Sequence, residues 1–211
     1  MAKKKAAKVK IEDQEVKRRA LTDQALKILT GPDIFGEQID ELERRGLTGE
    51  HRNATVLMIA GISRLLERPI SVLIKGQSSS GKNHLAQKVL DLFPPDAVRE
   101  ITSSSEKAWN YADDDFKHRI VYLQERNESA GPVHQARLLI SEGRLIRTVT
   151  VSEGGTKIAK RFVTEGPIAA ISTTTKDRLE IDDETRHISL WMDESPEQTR
   201  RILQKQSAGG K

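Results

Sequence analysis

An eight-residue segment, GQSSSGKN at 76–83, constrains the fold of this chain more than any other feature. It fits the pattern G-x-x-x-x-G-K and follows an apolar segment, 70–75, whose composition is typical of a buried strand. Residues 82–92, which begin with the last two residues of this segment, have the apolar spacing of a helix. A strand, a glycine-containing loop and a helix in this order are the context in which the pattern holds phosphates. The sequence therefore predicts a P-loop.

The residue types in this loop suit the chemistry of a nucleotide site. Gly76 and Gly81 permit backbone dihedrals that turn successive N–H groups toward a phosphate. Lys82 is expected to reach the β- and γ-phosphates, and the helix that starts there directs its positive end at the anion. A serine- and glycine-rich turn containing Gly-Lys by chance is the alternative. The predicted ATP-binding residues are Gly76, Gln77, Ser78, Ser79, Ser80, Gly81, Lys82, Asn83 and His84.

The positions expected to hold Mg²⁺ carry neutral amides. A P-loop normally ends in Ser or Thr, whose hydroxyl binds the ion, but this one ends in Asn83. The apolar strand 119–123 is followed by Gln124, where an aspartate is expected, and then by Glu125. An amide oxygen can bind Mg²⁺, so Asn83 and Gln124 are the predicted metal-binding residues. Glu125 is predicted to activate water, the alternative being an ordinary exposed charge; the two amides leave efficient hydrolysis in doubt.

Two further catalytic candidates lie downstream. The apolar strand 168–172 runs into a series of hydroxyls, of which Thr175, and after it Thr174, is predicted to sense the γ-phosphate. Arg186 could reach the nucleotide of a neighbouring subunit. From the residues alone it could equally form a surface salt bridge with Glu184 or Asp183.

Beyond residue 70, apolar strands alternate with helical segments, a pattern that predicts an α/β fold with a parallel sheet. Strands at 145–152 and 157–164 flank EGGT, which predicts a β-hairpin insertion. Three helices are expected before the first strand. The predicted organisation is a basic tail at 1–19, a helical segment at 20–69, a P-loop core at 70–204 and a C-terminal tail at 205–211.

Composition and charge exclude several classes of protein. The chain has no cysteine, so disulfide frameworks and cysteine-bound zinc are excluded. No apolar stretch is long enough for a membrane span, and the basic start lacks the apolar core of a signal peptide, so a cytoplasmic protein is expected. The net charge of +4 comes from the first 19 residues. This tail could contact phosphate backbones or be merely solvated.

Taken in order, the P-loop, the Gln124-Glu125 strand end, the hairpin and the hydroxyl-rich strand resemble AAA+ ATPases of the helicase branch, which includes superfamily III helicases. The chain is more closely similar to the helicase-like ATPase region associated with bacterial and phage zinc-finger primases. The matching segments are GLTGEHRN at 46–53, ISRLLERPISVLIKGQSSSGKN at 62–83, LLISEGRL at 138–145, EGPIAAISTTT at 165–175 and ETRHISLWMDESPEQTRRIL at 184–203. Neither a primase zinc finger nor a polymerase-like domain accompanies them.

The resemblance implies a homo-oligomeric ring, hexameric in this family, with ATP between subunits and Arg186 acting on the neighbour's nucleotide. It also implies that the hairpin tip contacts DNA, single-stranded DNA above all, through Lys157, Lys160 and Arg161. Without the resemblance, these cations could simply protect a solvated strand edge. A primase or another replication protein is the implied partner.

Three functions remain open on the sequence alone. The first is an ATPase that couples ATP binding and hydrolysis to translocation on DNA, or its remodelling, during replication. The second is a nucleotide-gated ring-assembly module that hydrolyses ATP weakly and serves a partner protein. The third is a small-molecule kinase, which the hairpin disfavours.

Overall fold

The structure is a computed structural model that describes residues 21–101, 116–124, 131–153 and 156–209. The chain divides into two compact units, Met1–Arg44 and Arg45–Lys211. No helix among the described residues is long and apolar enough to cross a membrane.

Two helices form the described part of the first unit, α1 at 21–29 and α2 at Ile34–Arg44. Gly31 and Pro32 lie between them, and the proline ring and missing N–H do not suit a continuing helix. The Asp33 carboxylate accepts a hydrogen bond of 2.8 Å from the Gly36 backbone N–H. This contact is the one by which an N-terminal capping residue begins a helix.

The second unit is an α/β structure built on a parallel sheet. Its described strands are β1 (Val72–Lys75), β2 (Val98–Ile101), β3 (Arg119–Leu123), β4 (Arg144–Glu153), β5 (Thr156–Glu165), β6 (Ile168–Thr174) and β7 (Ile188–Trp191). Its described helices are α3 (His51–Ser63), α4 (Lys82–Leu90), α5 (Gly131–Glu142), α6 (Ile181–Glu184) and α7 (Pro196–Gly209). Five of the strands form one sheet in the order β2-β3-β6-β1-β7, and every pairing in it is parallel.

The strand order decides which side chains meet at the sheet edge. Strand β6 lies between β1 and β3, with Lys75 opposite Thr174 and Leu123 opposite Ser172. All residues of β1 and β6 are buried, as expected of strands covered on both faces. Parallel strands end at a common edge, so the loop after β1 lies beside the hydroxyls at the end of β6.

Strands β4 and β5 form a separate two-stranded antiparallel sheet, with Glu153 opposite Thr156. This confirms the predicted hairpin insertion, whose strands are slightly longer than predicted. The base of the hairpin, α5 and the neighbouring strands β3 and β6 share one apolar cluster. Its buried members are Phe116, Val121, Leu123, Ala136, Leu139, Leu145, Ile168 and Ala170.

The predicted fold class is therefore confirmed, with three differences in the elements. Strand β6 continues to Thr174 rather than ending at residue 172, because pairing with β1 extends to that position. Helix α7, which the sequence predicts over 196–204, continues to Gly209. The short helix α6 carries four residues and too few apolar positions to show a period. A helix predicted around 105–111 lies outside the described residues.

Candidate functional site

The loop between β1 and α4 has the close backbone geometry of a P-loop. Gly81 has φ of +89°, in the left-handed region that favours glycine, and it precedes the first turn of α4. Gly76 is needed for a different reason from the one predicted. A Cβ atom there would lie 2.7 Å from the Ser80 Oγ and 2.9 Å from a Glu194 carboxylate oxygen. Space, rather than a positive φ, therefore requires glycine at position 76.

Lys82 is held inside this loop. Its side chain is buried, and its ammonium group donates to the Gly76 carbonyl oxygen at 2.8 Å and also to the Gln77 carbonyl oxygen. The Gln77 backbone N–H in turn donates to the Glu194 carboxylate. These contacts keep the lysine amine beside the N-terminus of α4, where a phosphate would be bound.

A pocket of about 560 Å³ lies between the P-loop and the end of β6. It is lined by residues 78–84 on one side and 173–175 on the other. The structure thus brings seven of the predicted loop residues together with Thr175 and Thr174. Thr173 also lines the pocket and was not predicted, because β6 was expected to end before it. The arrangement is that of an anion site, with a lysine, a helix N-terminus and hydroxyl groups around one cavity.

Asn83 is tied to the sheet beneath the pocket. Its carboxamide Oδ1 accepts a hydrogen bond from the Tyr122 hydroxyl at 3.2 Å and another from the Thr173 hydroxyl at 3.0 Å. Tyr122 was not predicted as a site residue, because a tyrosine in an apolar strand is typical of a core. Its side chain is fully buried.

This arrangement does not suit the predicted Mg²⁺ site. A carboxamide oxygen has two lone pairs, and the two hydroxyls use both of them at Asn83. Gln124 lies directly after β3, half-buried. No cluster of three metal-binding acids or histidines occurs among the residues that the structure describes. Glu125, the predicted base, lies outside those residues.

A second pocket, of about 510 Å³, adjoins the first and shares Ser79, Ser80, Gly81 and His84 with it. Its other walls come from 46–50 and from the segment that includes Met192 and α7. Apolar side chains line part of it, namely Leu47, Leu85, Met192 and Ile202.

Hydrogen bonds join the two chain segments that form this second pocket. The Gln198 Nε2 donates to the Thr48 carbonyl oxygen at 2.6 Å, and the Lys205 Nζ donates to the Leu47 carbonyl oxygen at 2.7 Å. The Glu50 carboxylate accepts the Asp193 backbone N–H at 2.7 Å. These contacts fix the shape of a partly apolar cavity that opens beside the phosphate pocket.

The segment carrying Arg186 is anchored by two ion pairs. The Lys75 Nζ lies 2.5 Å from a Glu184 carboxylate oxygen, and Arg137 donates to both carboxylate oxygens of Asp183 at 3.0 and 2.7 Å. Arg186 itself donates to the Ser141 hydroxyl at 2.7 Å and to the Asp182 carbonyl oxygen. Among the described residues it forms a salt bridge with neither Glu184 nor Asp183, the partners considered from the sequence.

The Lys75–Glu184 pair predicts a specific dependence of stability on pH. The hydrogen bond from Lys75 lowers the pKa of Glu184 below its usual value of 4.5. Because the pKa of Glu184 is lower in the folded than in the unfolded state, its ionised form stabilises the fold. This contribution is fully present above pH 4.5 and is lost as the pH falls through the pKa of the folded state. Glu184→Gln is therefore expected to reduce the acid-dependent loss of stability, by on the order of 1 kcal/mol or less.

Urea denaturation of the wild type and the variant between neutral and acidic pH measures this effect. Glu142→Gln, an exposed change near the end of α5, is the matched control and should keep the wild-type acid slope. Equal slopes for Glu184→Gln and the wild type would contradict the role given to this pair.

The predicted DNA-contacting cations lie on β5. Lys157 is opposite Ser152 and Lys160 is opposite Val149, but the side chains of Lys157 and Lys160 lie outside the described part of the chain. Arg161 is exposed. Residues 154 and 155 at the hairpin tip are also outside it.

Comparisons with known proteins agree with the fold. A family model described as the MTBMA_p00010 P-loop domain matches residues 15–211. No curated protein matches the chain. Two structures of single-site mutants of RuvB from Thermotoga maritima each align with a TM-score of 0.50, at 13% and 14% identity. Each alignment covers 77% of this chain and 52% of the RuvB chain.

A further structure of the same protein, titled the RuvB Holliday junction branch migration motor, aligns with a TM-score of 0.49 at 13% identity. That alignment covers 76% of this chain and 51% of RuvB. The chain therefore spans about half the length of the RuvB chains that it matches. The likeness shows that this chain shares the α/β fold of the RuvB chains.

Proposed function

This chain belongs to the MTBMA_p00010 P-loop domain family, and on that premise we propose that it binds ATP at its P-loop and couples ATP binding and hydrolysis to movement on DNA or its remodelling. Membership of a P-loop family implies nucleotide binding. ATP as the nucleotide, its hydrolysis and the action on DNA go beyond family membership.

The observation that carries the proposal is the pocket between residues 78–84 and 173–175. Lys82 supplies a positive charge, Gly81 lets the backbone N–H groups turn inward, and α4 directs its N-terminus at the same space. The triphosphate would lie here, with its γ-phosphate toward Thr174 and Thr175. The base and ribose would occupy the adjoining pocket, where Leu47 and Leu85 offer apolar contacts.

Hydrolysis requires groups besides the described residues that line this pocket. Glu125, next to Gln124 at the end of β3, is the proposed base; it would accept a proton from the water that attacks the γ-phosphorus as the bond to ADP breaks. Arg186, held on Ser141, is the proposed contributor to a neighbouring subunit's nucleotide in a ring. Asn83 does not suit a Mg²⁺ ligand here, because its oxygen accepts hydrogen bonds from Tyr122 and Thr173.

Action on DNA is supported by charge and by fold. Lys157, Lys160 and Arg161 place three cations on β5 of the hairpin, and cations of this kind hold phosphate backbones. RuvB, with which this chain shares a fold, is titled a Holliday junction branch migration motor. The proposed partners are single-stranded DNA and a primase or other replication protein. We also propose a homo-oligomer of about six subunits, in line with the AAA+ resemblance.

A second candidate function rests on a specific observation. The oxygen of Asn83 is engaged by Tyr122 and Thr173, and Gln124 replaces an acid, so the usual means of supporting fast hydrolysis are weakened. A module that binds ATP to assemble a ring, and hydrolyses it slowly, fits this arrangement. Turnover measurements separate the two functions.

Glu125→Gln is expected to leave ATP affinity within about threefold of wild type and to lower steady-state ATP turnover by about 100-fold or more, because a general base contributes that much. Turnover is measured with and without single-stranded DNA at several protein concentrations. The wild type is expected to turn over faster with DNA and with assembly. Glu100→Gln, an exposed change on the adjacent strand β2, is the matched control and should keep full turnover.

Undiminished turnover by Glu125→Gln would place the base elsewhere. Tight ATP binding by the wild type with no turnover in any condition would favour the assembly module instead. Absence of ATP binding by the wild type would remove both functions.

A further inference from the structure

We propose that Asn83 binds a phosphate oxygen of ATP as a hydrogen-bond donor, through its Nδ2 group, and that Tyr122 and Thr173 position it for this role. The proposal rests on the proposed function, since it assigns a role within the same nucleotide site. It replaces the expectation that Asn83 binds Mg²⁺ through its oxygen.

The orientation of the Asn83 carboxamide follows from its two hydroxyl partners. They come from different strands, Tyr122 from β3 and Thr173 from β6, and both point at Oδ1, at 3.2 and 3.0 Å. Both side chains are fully buried, and a buried hydroxyl must find an acceptor for its hydrogen. The Asn83 oxygen supplies one to each, so the carboxamide is held with its oxygen toward the sheet.

The other end of the carboxamide is available to a ligand. Asn83 lines the phosphate pocket, and its Nδ2 makes no hydrogen bond to any residue that the structure describes. The residue lies in the first turn of α4, immediately after Lys82. An N–H₂ group at this position adds a neutral donor to the lysine charge and the helix N-terminus.

This chemistry differs from that of the usual residue at the end of a P-loop. A serine or threonine hydroxyl both accepts and donates, so it can bind a cation. A carboxamide whose oxygen is already engaged by two hydroxyls can only donate, which suits an anion and not a cation. Asn83 should therefore contribute to ATP affinity whether or not Mg²⁺ is present.

Asn83→Asp tests the assignment because it replaces the Nδ2 donor with a negatively charged acceptor of nearly the same shape. The carboxylate keeps one oxygen for Tyr122 and Thr173 and places a negative oxygen where Nδ2 was. Calorimetric titration with ATP, in EDTA and again in excess Mg²⁺, is expected to show a loss of affinity of about tenfold or more in both. Wild-type affinity in EDTA should lie within about threefold of that in Mg²⁺.

Gln87→Glu is the matched control, since it makes the same amide-to-acid change at an exposed position on the same helix. It should bind ATP within about twofold of wild type. Asn83→Ala is a second variant, which adds no charge. It tests the proposal even if Asn83→Asp does not fold. It should lose about tenfold in affinity equally in EDTA and in Mg²⁺, as expected when a donor to a charged group is removed.

Two results would overturn the proposal. One is Asn83→Asp binding ATP in Mg²⁺ as tightly as wild type while EDTA abolishes binding. The other is Asn83→Ala losing affinity in Mg²⁺ alone. A wild-type chain that binds no ATP in either buffer would instead contradict the proposed function, and so the two failures are distinguishable.

Discussion

Replacing Lys82 by alanine is expected to weaken ATP binding by about 100-fold or more. The ammonium group is the one charge placed by the loop itself beside the phosphate pocket, and a hydrogen bond to a charged group contributes about 1.5–3 kcal/mol. A triphosphate would contact this group through more than one oxygen, which raises the expected loss. Calorimetric titration with ATP measures it directly.

Lys88→Ala is the control for this change. Lys88 lies in the last turn of the same helix and does not line the pocket, so its loss should leave ATP affinity within about twofold of wild type. Thermal melting of both variants verifies that they fold. Unchanged affinity in folded Lys82→Ala would refute the assignment of the P-loop as the nucleotide site.

Arg137→Ala is expected to lower the free energy of unfolding by about 3 kcal/mol or more. The guanidinium of Arg137 donates to both oxygens of Asp183, a residue with no solvent exposure. Those hydrogen bonds also raise the pKa of Arg137. Removing one partner of a buried pair leaves a charge in a low-dielectric interior without its counter-ion, which typically costs about 3–5 kcal/mol. Urea denaturation measures the change.

Arg119→Ala provides a matched comparison. Arg119 and Arg137 have similar side-chain exposure, 24% and 22%, but the partner of Arg119, Asp96, is 78% exposed. A pair of that kind contributes about 1 kcal/mol or less. Equal losses in the free energy of unfolding for the two variants would contradict the claim that the burial of Asp183 makes the Arg137–Asp183 pair the more stabilising one.

The P-loop was predictable because its residue types indicate both the ligand that the loop binds and the conformation of its backbone. A glycine before a Gly-Lys pair, between an apolar strand and a helix, restricts the fold to few possibilities, and the parallel sheet and hairpin followed from similar local patterns. The position of Thr175 at the pocket followed from the same pattern. Thr173 was missed because the end of β6 depends on pairing with β1, which a local pattern does not contain.

The contacts that could not be predicted are those between segments far apart in the chain. Asp183 and Glu184 were visible as acids, but nothing local indicated that Arg137 and Lys75 would be their partners. Tyr122 in an apolar strand is typical of a core residue, and its hydroxyl gains a role only once Asn83 is placed above it. Gly76 was expected to need a special φ, whereas the nearby Ser80 and Glu194 side chains are what exclude a larger residue.

Amide hydrogen exchange, followed by mass spectrometry with and without ATP, tests the central claim most directly because it locates the ligand on the chain. Slower exchange is expected in peptides covering 76–84 and 173–175, with no change in β4 and β5, and the protection should disappear in Lys82→Ala. Protection confined to other segments, or none at saturating ATP, would contradict the placement of a nucleotide site between the P-loop and β6.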